Sequence, residues 1–179
     1  MLKKKMTTHD LSFIALFAAL TAVMAQISIP MPLGVPMTMQ TFAISMAGIL
    51  LGARRGFVSA LVYVLLGAVG APVFAKLSGG LPIIVGPTGG FILSFPLMAW
   101  LVGYGAEKQT VPAVVLGLLA GTVVNYICGM IMFSTITGQG LLVAFNACVL
   151  PFIPTTVVKI IAACVIGIKI RKRSLVPDY

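Results

Sequence analysis

The chain has 179 residues, 60% of them hydrophobic and 8% charged, where a soluble domain carries roughly 25% charged residues, and its mean hydropathy is +1.14. At about 20 apolar residues per membrane crossing, it holds five or six spans and no sizeable soluble domain, so residues 1–179 are expected to form a single integral membrane domain solvated by the lipid bilayer. The net charge of +9 does not point to nucleic acid, because Lys3, Lys4, Lys5, Arg54, Arg55, Arg171, Lys172 and Arg173 each sit at the edge of an apolar stretch, as the positive-inside rule requires.

The first predicted span covers about residues 10–29 and ends at Pro30, Pro32, Gly34 and Pro36, which cannot continue a helix. A turn or re-entrant loop should follow. With the lysines before it, this span has some features of a signal peptide, but it is long for one and the rest of the chain is equally apolar. The second span, about 37–53, stops at Arg54 and Arg55, which mark the cytoplasmic face, and the third runs over about 56–70. Residues 71–88 contain Pro72, Pro82, Pro87, Gly79, Gly80 and Gly86 and are expected to form an irregular outer connection carrying Lys76. The fourth span, about 89–105, leads to Glu107 and Lys108, and the fifth covers about 111–133. After 134–140, an apolar piece at 141–150 meets Pro151 and Pro154, and a last span runs to about residue 170. The expectation is thus an all-α membrane protein of six transmembrane helices, N-in and C-in, with irregular outer loops. Five or seven spans would put the C-terminal basic cluster outside. No internal repeat of the kind that builds inverted-repeat transporters is evident.

The residues with chemistry in them exclude several functions. Of the three acidic residues, Asp10 sits at the very start of the first span, Glu107 in a cytoplasmic loop and Asp178 near the C-terminus, so proton coupling through a carboxylate inside the membrane lacks its group. The single histidine, His9, opens the first span, which leaves no histidine metal cluster and no Ser-His-Asp arrangement; the chain is not expected to be an enzyme. Cys128, Cys148 and Cys164 form no CxxC pair and read as small buried apolar residues. The run Gly86-Pro87-Thr88-Gly89-Gly90 lacks the Lys and hydroxyl of a nucleotide-binding loop; it is either a tight turn or a place where backbone amides approach a ligand.

Lys159 lies well inside the last span, where an unpaired cation costs about 2.5–3.5 kcal/mol on insertion scales. An anionic ligand, carbonyls freed by Pro154, cavity water or snorkelling to the inner end could each offset that. Gln26, Gln40, Asn125, Asn146, Tyr63, Tyr104 and Tyr126 are individually explained by helix-to-helix hydrogen bonds. Taken together, Gln40, Thr41, Asn125, Tyr126 and Lys159 fall at outer or middle depth, which suggests a polar pocket opening outward. Ala15, Ala18, Ala19, Ala22 and Ala25 follow helical spacing on the first span and form a strip of small residues that either packs internally or admits a separate subunit.

The runs Val35-Pro36-Met37-Thr38-Met39-Gln40-Thr41-Phe42, Ala47-Gly48-Ile49-Leu50-Leu51-Gly52-Ala53-Arg54-Arg55-Gly56, Ser78-Gly79-Gly80 and Gly86-Pro87-Thr88-Gly89-Gly90-Phe91, in that order, resemble the BioY family, the biotin-specific S components of energy-coupling factor (ECF) transporters. The resemblance implies a six-helix protein of the bacterial plasma membrane that captures biotin from outside, needs no cofactor, and works with a transmembrane coupling subunit and two ATPase subunits. Combined with the polar residues above, it makes Gln40, Thr41, Gly79, Gly80, Thr88, Gly89, Phe91, Asn125, Tyr126, Thr156 and Lys159 the expected substrate-binding set, and it implies that the coupling subunit lies against Ala15, Ala18, Ala19 and Ala22. The family pattern Pro-x-Asp-x-x-Lys reads Pro154-Thr155-Thr156-Val157-Val158-Lys159 here, so the lysine matches and the aspartate does not. Asn125 is a candidate substitute acceptor for the ureido N–H groups of biotin, and Lys159 would meet either the carboxylate or the ureido oxygen. Lys76 is either a solvated surface lysine or a further attraction for an anionic substrate. The departure at Thr156 keeps open a related vitamin or a biotin precursor as substrate, and a solitary facilitator working without ATPases is the alternative of a different class.

Overall fold

The computed structural model describes residues 6–31 and 34–173; Lys3, Lys4, Lys5, Pro32 and Asp178 lie outside the described residues, as does the side chain of Lys172. The first helix, α1 (Thr8–Gln26), starts where Thr7 and Asp10 close a capping box, each side chain accepting from the other's backbone N–H. That satisfies two amides that a helix start otherwise leaves open. The second Asp10 oxygen pairs with Arg55 Nε at 3.1 Å.

The proline-rich segment after α1 is not a bare turn. Strands β1 (Ser28–Ile29) and β2 (Met37–Thr38) pair antiparallel across it, with Ser28 opposite Thr38 and Ile29 opposite Met37. This short ribbon departs from the all-helical expectation, because proline excludes helix but leaves extended backbone free to pair.

Helix α2 (Gln40–Ala68) contains one residue outside helical geometry, Gly52, at φ 80° and ψ 179°. The chain reverses there. A Cβ built on Gly56 would lie 3.1 Å from the Cα of Gly48, whereas residues eight apart in a straight helix are separated by about 12 Å. The two arms, 40–51 and 53–68, correspond to the second and third predicted spans. The connection that follows holds a short 3-10 turn (Ala75–Leu77) and a one-turn helix, α3 (Leu81–Ile84). The fourth expected span is two pieces, α4 (Gly89–Leu93) and α5 (Phe95–Glu107), joined at Ser94; Pro96 in the first turn of α5 has no N–H to continue the ladder of α4. Helix α6 (Val111–Thr137) runs four residues beyond its expected end and stops at Gly138 in a left-handed conformation. Helix α7 (Leu141–Cys148), a 3-10 turn (Leu150–Phe152) and α8 (Ile153–Lys172) complete the chain.

Small residues let these helices touch. Gly103 of α5 sits so close to the reversal in α2 that a Cβ there would be 2.3 Å from the Ala53 nitrogen. The core is built between α1, α2, α5, α6 and α8 from Phe17, Ile49, Leu51, Val102, Leu118 and Ala163, with a second cluster around Ile44, Tyr63, Phe74, Phe95 and Met98. On α6 the buried residues Val114, Leu118, Gly121, Asn125, Gly129 and Phe133 recur at helical spacing, while Leu116, Leu119, Val123, Ile127 and Ile131 on the other face are about half exposed. An apolar exposed face of this extent is what lipid, not water, solvates.

Four stretches are long and apolar enough to cross a membrane: Thr8–Gln26, Gln40–Ala68, Val111–Thr137 and Leu141–Arg171. The second is the one folded at Gly52. At one end of the bundle the polar residues gather: the Asp10–Arg55 pair, the Glu107 carboxylate accepting from Ala53 N–H at 2.8 Å, and the Arg171 guanidinium donating to the Ala106 carbonyl.

Candidate functional site

Opposite that charged end, a cavity of about 340 Å³ opens between the start of α2, the middle of α6 and the start of α8. Two loops form its other walls: the segment between the strands contributes Met31, Val35 and Pro36, and the connection after α2 contributes Phe74, Lys76 and Ser78. Phe91, Ile92, Phe95 and Phe152 add to the apolar lining.

Five of the polar groups, Thr41, Asn125, Tyr126, Thr156 and Lys159, gather at one end of the cavity, its inner end, where it meets a smaller recess. Lys159 donates to the Thr38 carbonyl at 2.6 Å and, more weakly, to Thr41 Oγ1 at 3.4 Å. An ammonium has three N–H donors, so these two contacts do not exhaust it. The Thr38 carbonyl is available because Thr38 ends the ribbon at the entry to α2. A backbone oxygen therefore offsets part of the burial of Lys159, but it is that of Thr38 and not one of the carbonyls freed by Pro154 that the sequence suggested, and no carboxylate lines the cavity among the described residues.

Asn125 is 1% exposed and spends both amide hydrogens on α4 and its junction with α5, donating to the Phe91 carbonyl at 2.9 Å and to Ser94 Oγ at 2.8 Å. Those bonds lock its orientation and leave its carbonyl oxygen as an acceptor. Tyr126 Oη and Thr156 Oγ1 share a short hydrogen bond. Asn125, Tyr126, Thr156 and Lys159 also border a small extension of about 20 Å³ reaching Ser45 and Thr122, room for one water between groups able to bind it.

Of the eleven residues expected to bind substrate, Gln40, Thr41, Thr88, Phe91, Asn125, Tyr126, Thr156 and Lys159 line the cavity. Gly79, Gly80 and Gly89 do not; Gly79 and Gly89 pack so tightly that a Cβ would lie 2.2 Å from the Ala71 oxygen and 1.7 Å from the Ile84 oxygen. Gly79 and Gly89 thus serve close backbone packing, whereas Gly80 provides a positive φ of 95°. Gln40 lines the cavity but is committed to a bracing chain: it accepts from Thr38 Oγ1 and donates to Tyr63 Oη, which in turn donates to the Val73 carbonyl. Asn146 and Tyr104 are exposed. The sequence reading missed the loop walls Met31, Val35, Pro36 and Phe74; Val35 and Pro36 were signalled only by the Val35–Phe42 run, and Met31 and Phe74 by nothing in the sequence.

On α1, Ala15 and Ala19 are exposed and Ala22 is half-buried. Ala18, at 3% exposure, is a correction: it faces the second core cluster with Ile44, Ala60 and Tyr63. The alanine strip wraps around the helix, and only part of it faces outward.

The BioY family model matches residues 1–175. The chain belongs to the BioY family. It is 42% identical over 162 residues to a probable biotin transporter BioY of Pyrococcus horikoshii, covering 90% of this chain and 96% of that protein. It is 37% identical over 175 residues to the biotin transporter BioY of Rhizobium etli, covering 90% and 92%. Among solved structures, the S-component for biotin from an ECF-type ABC transporter superposes with a TM-score of 0.83 at 28% identity, covering 94% of this chain and 95% of that one. In this BioY protein Thr156, where the resemblance implied an aspartate, borders the inner end of the cavity with Lys159 and Asn125.

Proposed function

We propose that this chain is the substrate-binding S component of a biotin importer, and not an enzyme. The observation that carries the reading is the grouping at the cavity's inner end of one strong donor, Lys159, with two acceptors, the Asn125 carbonyl and the Thr156 hydroxyl. A ureido group needs that set: its oxygen takes a hydrogen bond from the ammonium and its N–H groups give theirs to Asn125 and Thr156. The apolar walls suit the fused rings and the valeryl chain, and the cavity volume lies in the range of small-molecule sites. The carboxylate then stays near the rim, where it keeps water and gains the charge of Lys76; burying it at the inner end would cost far more desolvation.

The same reading extends to topology and partners. With the charged end inside, α1, both arms of α2, α4 with α5, α6 and α8 make six crossings, both termini lie in the cytoplasm, and the cavity opens outward. The chain has no nucleotide-binding motif, so import draws on a transmembrane coupling subunit and two ATPase subunits, and the S component itself needs no cofactor. It is a multi-pass protein of the bacterial cell membrane.

Equilibrium binding of labelled biotin to the purified protein tests this directly. The expected result is saturable binding at one site, with the amide of biotin retaining most of the affinity because the carboxylate is peripheral. No binding of biotin would overturn the proposal. Thr156 favours one competing reading, a biotin precursor as preferred substrate, which would show as dethiobiotin outcompeting biotin. A solitary facilitator would keep transporting after deletion of the coupling subunit, whereas the dependent importer loses most uptake.

A further inference from the structure

The outer loop that forms one wall of the cavity holds an unusual backbone. Lys76 and Leu77 are both left-handed, at φ 59° and 53°, although neither is glycine. Successive residues in that region are unfavourable for side chains with a Cβ, and they persist where surrounding contacts over-determine them. Within the loop, Phe74 N–H donates to the Ser78 carbonyl and Ser78 N–H to the Ala75 carbonyl.

The Ser78 hydroxyl adds a third bond within the loop, to the Ala75 carbonyl at 2.7 Å, and the side-chain ties from outside it converge on one residue. Gln26, the last residue of α1, donates from Nε2 to the Phe74 carbonyl at 3.0 Å and accepts from Leu77 N–H on Oε1 at 2.9 Å. A second Nε2 contact, to the Ala22 carbonyl at 3.0 Å, fixes the amide against its own helix. Gln26 thus ties the loop before the left-handed pair, at Phe74, and within it, at Leu77, and Phe74, Ala75 and Lys76 in that span line the cavity together with the adjoining Ser78. The adjoining residue, Ile27, accepts from Met39 N–H, so the end of α1 holds the ribbon as well.

We propose that Gln26 is a positioning residue for the substrate site: it touches no substrate, but it holds loop 74–78 in the conformation that walls the cavity and so sets how slowly a bound ligand leaves. This inference rests on the cavity being the biotin site. Gln26→Met keeps side-chain length and helix preference while removing both polar ties, so the bundle should fold normally.

Two measurements on the purified full-length protein test it. In the first, without ligand, trypsin cleavage after Lys76 is followed by mass spectrometry; Gln26→Met should be cut about tenfold faster than the unsubstituted protein, with cleavage after Arg173 unchanged. In the second, dissociation of labelled biotin should accelerate about tenfold, by the loss of two hydrogen bonds partly regained from water. Gln26→Glu, which retains an acceptor for Leu77 N–H but loses the donor to Phe74, should fall between. Unchanged release from Gln26→Met overturns the proposal, whatever the cleavage rate. If the unsubstituted protein binds no biotin, the biotin reading fails separately, and unchanged cleavage at Lys76 would still overturn the latch.

Discussion

Lys159 was conspicuous in the sequence because a cation within an apolar span demands a partner, and its family neighbour Thr156 because a carboxylate was expected there. Neither sign told which of four partners Lys159 would take. The answer depends on the ribbon ending at Thr38, a tertiary arrangement that brings residues 38 and 159 together and leaves no periodicity to read. Lys159→Ala removes a charged donor whose net worth is about 1.5–3 kcal/mol, which at about 1.4 kcal/mol per decade is a loss of ten- to a hundredfold in biotin affinity. It also removes a group that is costly to bury, so the thermal midpoint should not fall. Titration of the variant with labelled biotin checks this, and unchanged affinity would mean the ligand sits elsewhere. Asn125→Leu behaves differently. It removes two donations, to the Phe91 carbonyl and the Ser94 hydroxyl, which keep only their bond to each other, and each lost hydrogen bond costs about 0.5–1.5 kcal/mol. Both affinity and melting temperature should drop.

At the scale of elements, residue types at the ends of spans were more informative than those within them. Arg54 and Arg55 announced a reversal, and the glycine that makes it possible lies two residues earlier. At φ 80° and ψ 179°, Gly52 occupies a region essentially closed to other residues, and Gly103 presses against it. Gly52→Ala should therefore destabilise the protein by about 1–3 kcal/mol, visible as a lower midpoint in thermal unfolding in detergent. Gly140 provides the contrast, since a Cβ there would meet nothing within 4 Å; Gly140→Ala should melt with the unsubstituted protein. The break at Ser94 and the ribbon between Ile29 and Met37 were less legible. Proline announces where a helix cannot continue but not what replaces it, and the replacement here is fixed by Asn125 and Lys159 reaching across from other helices.

At the scale of the molecule, the inverted solvent makes one question unanswerable from sequence and another easy. The easy one is which end of the bundle carries charge, because charge is scarce and clusters at loops. The hard one is which face of a helix points inward. In water, polarity separates the faces; in lipid both are apolar, and the size of side chains decides. On α1 the alanines run around the helix without a break in hydropathy, so spacing alone could not separate Ala18 from Ala19. The fold separates them: Ala18 is packed against α2 while Ala19 is exposed. Adjacent substitutions should then fail in different ways. Ala19→Trp adds bulk only on the outward face, so it should leave the melting temperature and biotin binding as they are and abolish co-purification with the coupling subunit. Ala18→Trp must fit an indole between Ile44, Ala60 and Tyr63, and overpacking of a filled core costs about 1–3 kcal/mol or more; it should lower expression and melting temperature before any partner is added. Normal assembly by Ala19→Trp would remove α1 from the docking surface, and an unperturbed Ala18→Trp would mean that the rotation of α1 described by these contacts is wrong.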